Sequence, residues 1–471
     1  MGTVMRKMLI GGEMVSGTAR LDVINPVNES VIDTVPDATR DDVNRAVQAA
    51  GRAFESWSTT GHERRREVLL AMAKAVADNA SELENLLIQE TGRPRGIAQF
   101  ELGLVRQYLE YYANQRIDPE ILIDEPTRRV ELHRRPLGVV AAIVPWNAPL
   151  YIAAAKLAPA LAAGNTVVLK TAPSTPLATL RMAEYFAQVV PPGVVNVLSG
   201  GNEAGAALVV HPDVAKISFT GSTRTGRAIM AEAAPTLKRL TLELGGNDAA
   251  IVLPDADPKV VAPALFAFAF FNSGQVCAVI KRLYVHDSIY DQICEEIAAM
   301  ARACPVGDGS DPATQFGPVQ NRMQYEKVIG FIEDARTHGR IIAGGDLPAG
   351  QGYFVPLTVV RDIAEGTMLV DEEPFGPILP IVRYSEIDDA VERANRSPYG
   401  LGASVWSSDV VKATEVAKRL DAGSVWVNQH CALDPAVPFP ANKQSGIGVE
   451  SGREGLFSYT ALQVLNISKP A

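Results

Sequence analysis

The chain has few cysteines, few histidines and no surplus of positive charge, and each shortage excludes a class of protein. Its 471 residues include four cysteines, none of them in a C-x-x-C pair, and six scattered histidines. Neither a disulfide framework nor a metal site is expected, and the cysteine usage predicts a reduced, cytoplasmic location. The formal net charge of −10 argues against nucleic acid or an anionic membrane as the main partner.

Long apolar runs are also scarce. The longest, Val260 to Phe271, is interrupted only by Pro263 and is too short to span a bilayer, so it predicts a buried helix. The stretch Met1 to Gly12 contains no long apolar run, so no signal peptide is expected there. The hydrophobic share of 47% and the charged share of 21% are those of a soluble globular protein, and the length predicts two or three domains.

Helical patterns dominate the first hundred residues, after a short predicted strand pair. Glu63 to Glu90 has the pattern of a second helical stretch, in which Ser81 and Glu84 have the spacing of a capping box that would restart the helix after Asn79. Thr91-Gly92 would end this stretch. The first helix is predicted from one apolar stripe at three- and four-residue spacing: Val43, Val47, Ala50, Phe54 and Trp57.

From residue 139 onward, apolar β-branched runs alternate with alanine-rich helical segments. The predicted strands are Val139–Val144, Thr166–Leu169, Val194–Leu198, Ile217–Phe219 and Ala250–Leu253. The predicted helices are Tyr151–Ala163, Pro176–Val190 and Arg224–Ala233. Continuous apolar strands separated by helices predict a doubly wound α/β fold, which binds ligands at the carboxyl ends of its parallel strands. A second strand–helix series is predicted from residue 246 to about residue 428.

Two alternating segments are predicted to lie outside these cores. Ile117–Pro136 is polar and rich in Arg, Asp and Glu, which predicts an exposed strand pair. The tail Thr460–Ile467 also alternates between apolar and polar residues. We interpret the two segments as a small subunit-pairing element.

Cys277 follows the predicted buried helix in the segment FNSGQVC, residues 271–277. The glycine of this segment permits a tight turn that would present the sulfur and a free backbone N–H at a pocket. A nucleophilic cysteine needs a lowered thiol pKa or a nearby base. On this segment alone, a small buried hydrophobic residue is the commoner explanation, as it is for the other three cysteines.

Two polar residues are candidates to act with this cysteine. Glu243 follows a predicted strand in LELGG, residues 242–246, where burial would raise its pKa and suit it to act as a general base. A salt-bridge role is the alternative. Asn147 ends Pro-Trp-Asn after the strand 139–144, and its amide would suit an oxyanion, with a plain turn residue as the alternative.

Three further segments suggest a nucleotide site. FTGSTRTG, residues 219–226, predicts a strand, a glycine turn and a helix start whose N–H groups would cradle a pyrophosphate, although its glycine spacing differs from the usual dinucleotide fingerprint. Lys170 ends the strand 166–169 on the same rim. DEEPFGP, residues 371–377, would hold a ribose and a nicotinamide with its acid and its aromatic ring, or would simply be a solvated acidic loop.

In this order, six motifs resemble those of the aldehyde dehydrogenase superfamily over essentially the whole chain. They are Pro-Trp-Asn, Lys170, Phe-Thr-Gly-Ser, Glu-Leu-Gly-Gly, Gly-Gln-x-Cys and Glu-Glu-x-Phe-Gly-Pro. The resemblance implies two doubly wound parallel-sheet domains and a small β oligomerisation arm, in a homodimer or a homotetramer. It implies a cofactor-binding domain of residues 1–116 and 137–245, a catalytic domain of residues 246–445, and an arm and tail of residues 117–136 and 446–471.

The resemblance also implies NAD(P)⁺-dependent oxidation of an aldehyde to a carboxylic acid. Cys277 would add to the aldehyde, and the Asn147 side chain with the Cys277 N–H would hold the oxyanion. Hydride transfer to the nicotinamide would leave a thioester, and Glu243 would activate the water that hydrolyses it. Lys156 and Glu450 match positions that the family uses as a proton relay.

For the cofactor, the resemblance implies NAD, with NADP not excluded. Lys170 would reach the adenine ribose, Ser222 and its loop the pyrophosphate, and Glu373 the nicotinamide ribose. NAD-selective members often carry a glutamate three residues after the lysine, but this chain has Pro173, so the group that repels a 2′-phosphate is missing. The implied cofactor-binding residues are Trp146, Lys170, Pro173, Thr220, Gly221, Ser222, Gly245, Glu373 and Phe375.

A second departure lies at the expected substrate entrance. The family usually has two glycines after a phenylalanine, where this chain has Phe439-Pro440-Ala441. Because proline fixes φ and donates no N–H, a glycine-specific backbone shape is expected to be lost and the loop to be reshaped or mobile. No role is assigned to the neighbouring His430 and Cys431.

The residues expected around the substrate tunnel are apolar, and several are small. They are Ala148, Ile152, Ala155, Phe271, Val276, Ala278, Leu433 and Phe439. Such a lining favours a small-molecule aldehyde of medium aliphatic or aromatic character over a charged semialdehyde.

Two alternatives remain. In a CoA-acylating dehydrogenase, CoA would take the acyl group in place of water, but Glu243 argues for hydrolysis because a thiol acceptor needs no water-activating base. A non-catalytic binding relative of the same fold would be expected to lack the nucleophile or the base, yet Cys277, Glu243 and Asn147 are all present.

Overall fold

Two largely parallel sheets organise the chain in a computed structural model that describes residues 6–470. Five residues of the stretch Met1 to Gly12, and Ala471 of the expected arm and tail, lie outside the described residues. Up to residue 136 the elements are β1 Met8–Ile10, β2 Glu13–Val15, β3 Ala19–Ile24, β4 Val31–Asp37, α1 Arg40–Trp57, α2 His62–Asp78, α3 Ala80–Thr91, α4 Arg95–Ala113, β5 Glu120–Asp124 and β6 Arg128–Pro136.

The first strand–helix series follows. Its elements are β7 Val139–Ile143, α5 Pro149–Ala162, β8 Thr166–Lys170, α6 Leu177–Phe186, β9 Val195–Leu198, α7 Asn202–Val210, β10 Val214–Thr220, α8 Thr223–Ala233 and β11 Arg239–Glu243.

The remaining elements form the second series and the C-terminal segment. They are β12 Asp248–Val252, α9 Pro258–Phe270, β13 Ile280–His286, α10 Tyr290–Ala303, α11 Arg322–His338, β14 Arg340–Ala343, β15 Thr358–Arg361, α12 Met368–Asp371, β16 Ile378–Tyr384, α13 Ile387–Asn395, β17 Tyr399–Gly400, β18 Gly402–Trp406, α14 Val410–Ala417, β19 Ser424–Val427, β20 Phe439–Pro440, β21 Asn442–Lys443, β22 Gly446–Ile447, β23 Val449–Glu450, α15 Gly452–Phe457 and β24 Thr460–Ser468.

The first sheet has eight strands in the order β2-β1-β9-β8-β7-β10-β11-β22. Its five central strands are parallel, and the chain moves from β7 to β8 and β9 on one side before it returns to β10 on the other. This reversal opens a crevice beyond the carboxyl ends of β7 and β10. The predicted doubly wound α/β fold is confirmed.

The second sheet has seven strands in the order β14-β15-β16-β13-β12-β18-β19, and all its pairings except β14 with β15 are parallel. Separate apolar clusters cover its two faces. The helix predicted at Val260 to Phe271 is α9, although Val260 itself is 70% exposed. Within residues 6–470, no helix is long and apolar enough to cross a membrane.

The N-terminal helices follow the predicted pattern except at one cap. The capping box predicted at Ser81 is wrong, because α3 begins at Ala80 and its N-cap Asn79 makes no side-chain hydrogen bond to the helix start. The Glu84 carboxylate binds Arg95 instead. A capping box is present at α1, between Thr39 and Asp42, and Gly92 ends α3 with φ of 70° as predicted.

The exposed strand pair predicted within Ile117–Pro136 is confirmed as β5 and β6. The tail pairs with β6 along its whole length, from Thr460 opposite Pro136 to Ser468 opposite Arg128. Residues 446–459 lie elsewhere, since β22 joins the first sheet through β11 and α15 packs against α5. The domain bounds stay predictions.

Candidate active site

Asn147 lies beyond the carboxyl end of β7, beside the crevice. Its residue is 6% exposed, and its Nδ2 donates to the Gln275 carbonyl at 2.9 Å. Its own carbonyl accepts from Arg93 at 2.6 Å and from Asn272 at 3.2 Å. The side-chain amide is therefore fixed in direction by one N–H, and its second N–H is left for a ligand.

The segment before Cys277 is a tight left-handed turn. Asn272, Ser273 and Gly274 have φ values of 49°, 55° and 73°. A Cβ at position 274 would lie 2.1 Å from the carbonyl oxygen of Gly376, so only glycine fits there. The tight glycine turn predicted from the sequence is confirmed.

Gln275 fixes this turn from within. Its Nε2 donates to the carbonyls of Asn272 and Pro318, each at 3.2 Å, and its Oε1 accepts from the Gln320 N–H at 2.9 Å. Among residues 6–470, no acceptor lies within hydrogen-bonding distance of the Cys277 backbone N–H. That N–H is available to hold an oxyanion beside the sulfur.

Cys277 is partly buried in the segment between α9 and β13. Burial raises the pKa of its thiol, and the neighbouring Cys431, Glu243 and Glu373 act in the same direction, while Lys281 opposes them. The free protein therefore keeps Cys277 protonated at neutral pH, and a base is needed to remove the proton.

Glu243 is the last residue of β11 and is 3% exposed. Neither of its carboxylate oxygens has a hydrogen-bond partner within the described part of the chain. Burial raises the pKa of Glu243 well above its usual range, the negative charge of Glu450 raises it further, and Lys156 partly opposes both. A carboxyl group with these properties suits a general base near neutral pH.

Lys156 and Glu450 form an ion pair behind Glu243. The Lys156 Nζ also donates to Ser218 Oγ at 3.1 Å, and the Tyr459 hydroxyl donates to the same oxygen at 3.1 Å. Lys156 is fully buried on α5. These contacts connect Glu450 to a buried polar network that reaches the strand β10.

A cavity of about 330 Å³ opens onto Cys277, Glu243 and Asn147. Its walls are mostly apolar. They include Ile97, Phe100, Leu104, Ala148, Tyr151, Ile152, Phe268, Phe271, Val276, Ala278, Val279, Cys431, Leu433 and Phe439, with Arg93, Glu101, Thr220, Asn272 and Glu450 as polar members.

Seven of the eight residues expected around the substrate tunnel line this cavity, and Ala155 does not. Ala155 lies about one turn farther along α5 than Ile152, is 5% exposed and packs in the core of the first sheet. The α4 residues of the wall were not foreseen. Their i, i+4, i+7 spacing at Ile97, Glu101 and Leu104 would indicate one helix face, but not what that face contacts.

A second cavity, of about 170 Å³, lies on the other side of Cys277. Seven of the nine implied cofactor residues line it: Trp146, Thr220, Gly221, Ser222, Gly245, Glu373 and Phe375. Asn147, Thr220 and Cys277 line both cavities. The two cavities therefore meet at the sulfur.

The donor set of this second cavity fits a nicotinamide nucleotide. Ser222 is the N-cap of α8, and the free N–H groups of that helix start face an anion favourably. Thr220 Oγ1 has no hydrogen-bond partner within residues 6–470. The rings of Trp146 and Phe375 meet edge to face at 5.4 Å, and a Cβ at Gly245 would lie 2.3 Å from Glu373 Oε2, so glycine lets that carboxylate approach.

Lys170 and Pro173 do not line this cavity. Lys170 ends β8 opposite Ile143 of β7, so it lies at the carboxyl edge of the first sheet, where β7 also ends. Burial lowers the pKa of Lys170 to about 8, with Asp37 acting in the opposite direction. Pro173 is exposed in the loop that follows.

The backbone of the expected entrance loop has a conformation that does not require glycine. Phe439 and Pro440 pair with β23, opposite Glu450 and Val449. Neither Pro440 nor Ala441 has a positive φ, and Ala441 is buried beside Ala278 and Leu401, with Cys277 packed against that cluster. The expected loss of a glycine-specific backbone shape is confirmed. Phe439 and Pro440 form a short strand pair with β23.

The neighbouring Cys431 and His430 differ in position. Cys431 lines the larger cavity, whereas His430 is fully buried, with its Nε2 3.5 Å from Asp248 Oδ2 and its Nδ1 2.9 Å from Ser404 Oγ. Between residues 6 and 470, no group of three or more His, Cys, Asp or Glu side chains is arranged to hold a metal ion.

Comparison with known proteins agrees with this geometry. The profile of the aldehyde dehydrogenase family matches residues 14–465. A phenylacetaldehyde dehydrogenase of Pseudomonas fluorescens is 40% identical over 480 residues, which cover 98% of this chain and 96% of that protein.

Two solved structures superpose closely. The NAD⁺ complex of an aldehyde dehydrogenase from Bacillus cereus gives a TM-score of 0.96 at 36% identity, covering 98% of this chain and 96% of the other. Lactaldehyde dehydrogenase from Escherichia coli gives 0.96 at 33% identity, covering 98% and 99%. Nearly complete coverage with matching motifs confirms the predicted resemblance, and the chain belongs to the aldehyde dehydrogenase family, whose members oxidise aldehydes with a nicotinamide cofactor.

Proposed function

We propose that this protein oxidises a medium aliphatic or aromatic aldehyde to the carboxylic acid through a thioester on Cys277. The observation that carries the proposal is the meeting of two cavities at Asn147, Thr220 and Cys277. One cavity is apolar and suits an aldehyde, and the other has the donors for a nucleotide. The Glu243 carboxylate, which has no hydrogen-bond partner among residues 6–470, lies on the wall of the first.

The first step is addition of the Cys277 sulfur to the aldehyde carbon. Because the thiol pKa is raised by burial, the proton must leave as the carbon–sulfur bond forms, and Glu243 is the buried base in the same cavity. The free amide N–H of Asn147 and the free backbone N–H of Cys277 hold the oxygen that becomes negative. Together these groups favour the tetrahedral adduct over the free aldehyde.

Oxidation turns this adduct into a thioester. Bound NAD(P)⁺ supplies the acceptor for the hydride that leaves the carbon. The chain's own contribution is orientation, because the turn of residues 272–274 and the Gln275 hydrogen bonds fix the sulfur against the junction of the cavities.

Hydrolysis of the thioester completes the cycle. Glu243 removes a proton from the attacking water, the carbon–sulfur bond breaks, and the thiol of Cys277 is restored. Before the water attacks, the Glu450 carboxylate, which is ion-paired to the Lys156 ammonium, accepts the proton that Glu243 took from the thiol, so Glu243 is again a carboxylate for this step. This role accounts for a second, partly buried carboxylate close enough to raise the pKa of Glu243.

For the cofactor we propose NAD⁺, with NADP⁺ also accepted. Support comes from the α8 N-terminus at Ser222, from the free Glu373 Oε2 and from Lys170 at the sheet edge. The exposed Pro173 presents no carboxylate there that would repel a 2′-phosphate.

The substrate class follows from the charges in the larger cavity. Its only cation, the guanidinium of Arg93, is bound to Glu101, to Thr91 and to the Asn147 carbonyl, so no free cation within the described residues faces a substrate carboxylate. Glu243 and Glu450 further oppose an anionic substrate. The aldehyde acted on by the Pseudomonas fluorescens relative, as its name gives it, is aromatic and fits this lining.

We further propose that the protein is a homodimer or a homotetramer. The strand β24 is at one edge of the three-stranded sheet and leaves its outer hydrogen-bonding groups unpaired within residues 6–470. Leu462, Val464 and Leu465 of β24 are 62%, 54% and 44% exposed. An apolar edge of this kind favours association, and light scattering coupled to gel filtration would give the subunit number.

The test of the main proposal is reduction of NAD⁺ and NADP⁺ across straight-chain, aromatic and acidic aldehydes, with wild type beside Cys277→Ala. We expect turnover that disappears in the variant and a preference for hexanal and phenylacetaldehyde over succinic semialdehyde. The product should be the free acid. Activity retained by Cys277→Ala would overturn the thioester, and acyl-CoA formed in its place when CoA is added would overturn hydrolysis.

A further inference from the structure

Lys281 is a buried cation four residues after Cys277 that the proposed mechanism leaves unused. It is 2% exposed in β13, a strand of the second sheet. Its ammonium donates to the backbone carbonyl of Cys277 and lies 3.3 Å from Glu373 Oε1. The same ammonium is 5.9 Å from the centre of the Phe375 ring.

A shift in strand register sets the direction of the Lys281 side chain. Asp248 pairs with Ile280 and the next residue of β12, Ala249, pairs with Arg282, so Lys281 is the extra residue of a β-bulge. A bulge redirects a side chain out of the regular alternation of the strand. The neighbouring Arg282 binds the Asn247 carbonyl instead.

We propose that Lys281 is a positioning residue that stabilises the thiolate of Cys277 and joins it to Glu373, the carboxylate expected on the nicotinamide ribose. This inference rests on the proposed role of Cys277 as nucleophile. A buried ammonium bonded to the carbonyl of the nucleophile's own residue holds a full positive charge close to the sulfur. Because Lys281 is only 2% exposed, that charge is screened less than it would be in water.

Three other titratable groups that face Cys277 have the opposite effect. Glu243 at the end of β11, Glu373 in the loop before β16, and Cys431 in the loop after β19 all raise the thiol pKa. Of the four side chains with the largest effects on this pKa, Lys281 is the one that lowers it. Lys281 also lowers the thiol pKa of Cys431, whereas Asp248 raises it.

The pairing with Glu373 gives Lys281 a second connection. Glu373 Oε1 also accepts from the Gly246 N–H at 3.0 Å, which leaves its Oε2 without a partner among the hydrogen bonds of residues 6–470. The carboxylate that repels the thiolate is thus bonded to the ammonium that attracts it. Loss of either charge should change the reactivity of Cys277, in opposite directions.

The experiment measures alkylation of the cofactor-free protein by iodoacetamide between pH 6 and pH 10, because the rate follows the thiolate fraction of Cys277. Peptide mass spectrometry identifies the labelled cysteine, and Cys277→Ser gives the background from the other cysteines. The variants are Lys281→Met, Lys281→Arg and Glu373→Gln, with Lys418→Met as a control that removes an exposed lysine charge.

We expect the inflection of the rate to rise by about one pH unit in Lys281→Met, which is a roughly tenfold slower reaction below the inflection. Lys281→Arg should stay near wild type, Glu373→Gln should shift downward, and Lys418→Met should not move. Coincident inflections in wild type, Lys281→Met and Glu373→Gln would overturn the inference. Should Lys281→Met fail to fold, Lys281→Gln, which also removes the charge, gives the same comparison with Lys281→Arg.

This readout is separate from turnover. An unchanged inflection together with an inactive Cys277→Ser would refute the role of Lys281 and leave the thioester mechanism intact. A fully active Cys277→Ser would refute the mechanism itself.

Discussion

Arg93 and Glu101 form an ion pair that is 4% and 3% exposed at the side chains, on the wall of the larger of the two cavities that meet at Cys277. Arg93 also donates to the Asn147 carbonyl at 2.6 Å. Glu101 Oε1 accepts from the N–H groups of Leu150 and Tyr151 at 2.7 and 3.1 Å, at the start of α5. The pair thus fixes the peptide of Asn147 between α4 and α5.

The first prediction concerns this pair. Glu101→Gln should lower the free energy of unfolding by about 3–5 kcal/mol, because it leaves the buried guanidinium without its counter-charge. Chemical denaturation measures the change. The paired replacement Arg93→Met/Glu101→Leu should recover part of the stability but not kcat, since the Asn147 carbonyl then has no guanidinium to bind and the Leu150 and Tyr151 N–H groups have no carboxylate. Recovery of kcat with stability would contradict a positioning role.

The second prediction concerns Glu243. In Glu243→Gln both the thiol addition and the hydrolysis lose their base, so the thioester should form slowly and then persist, with a kcat lower by about 10²–10⁴-fold. Rapid mixing would follow the first turnover, and intact-protein mass spectrometry would detect the acylated subunit. A variant that turns over slowly without accumulating the acylated subunit would contradict the role of Glu243 in hydrolysis.

The pH dependence gives a third prediction. Because burial raises the pKa of Glu243 well above its usual range, the carboxylate needed for hydrolysis forms only as the pH rises through that raised value. We expect kcat to increase with pH at values well above pH 4, where an exposed carboxyl has its inflection. A kcat that stays constant from pH 5 to pH 8 would mean that Glu243 is ionised throughout.

The fourth prediction tests cofactor choice. Pro173→Glu should raise the Kd of NADP⁺ by at least about tenfold, because it adds a carboxylate near the expected ribose position, and should change NAD⁺ binding little. Fluorescence quenching measures both constants. In wild type, NADP⁺ affinity should weaken relative to NAD⁺ as the pH rises through about 8, where the Lys170 ammonium loses its charge. Equal pH slopes for the two cofactors would place Lys170 away from the 2′-phosphate.

The fifth prediction concerns the entrance loop. Replacing both Pro440 and Ala441 by glycine removes the fixed φ and the buried methyl beside Ala278, so the wall next to Phe439 should loosen. We expect a roughly tenfold change in aldehyde KM with cofactor KM unchanged. Steady-state kinetics with each substrate varied in turn would check this, and equal aldehyde kinetics in both proteins would refute it.

Local sequence was sufficient for the elements whose cause is local. The stripe from Val43 to Trp57, the glycine turn before Cys277 and the helix end at Gly92 each follow from side-chain periodicity or from a φ that favours glycine. The false capping box at Ser81 shows the limit of such patterns. The spacing is correct there, but α3 begins one residue before Ser81, and the Glu84 carboxylate binds Arg95 of the next helix.

The sequence by itself was sufficient to predict Cys277, Glu243 and Asn147 as candidates for the nucleophile, the base and the oxyanion amide, and it determined the order of strands and helices, because each follows from a short motif or a repeating apolar pattern. Only the tertiary structure decided what surrounds them. Contacts between separate elements placed the α4 residues on the cavity wall and formed the Arg93–Glu101 pair. They also put Ala155 in the core instead of the cavity and directed Lys281 to the Cys277 carbonyl. A motif fixes which group is present, but burial and distance fix its pKa and its partners, and these arise only when the sheets and helices pack together.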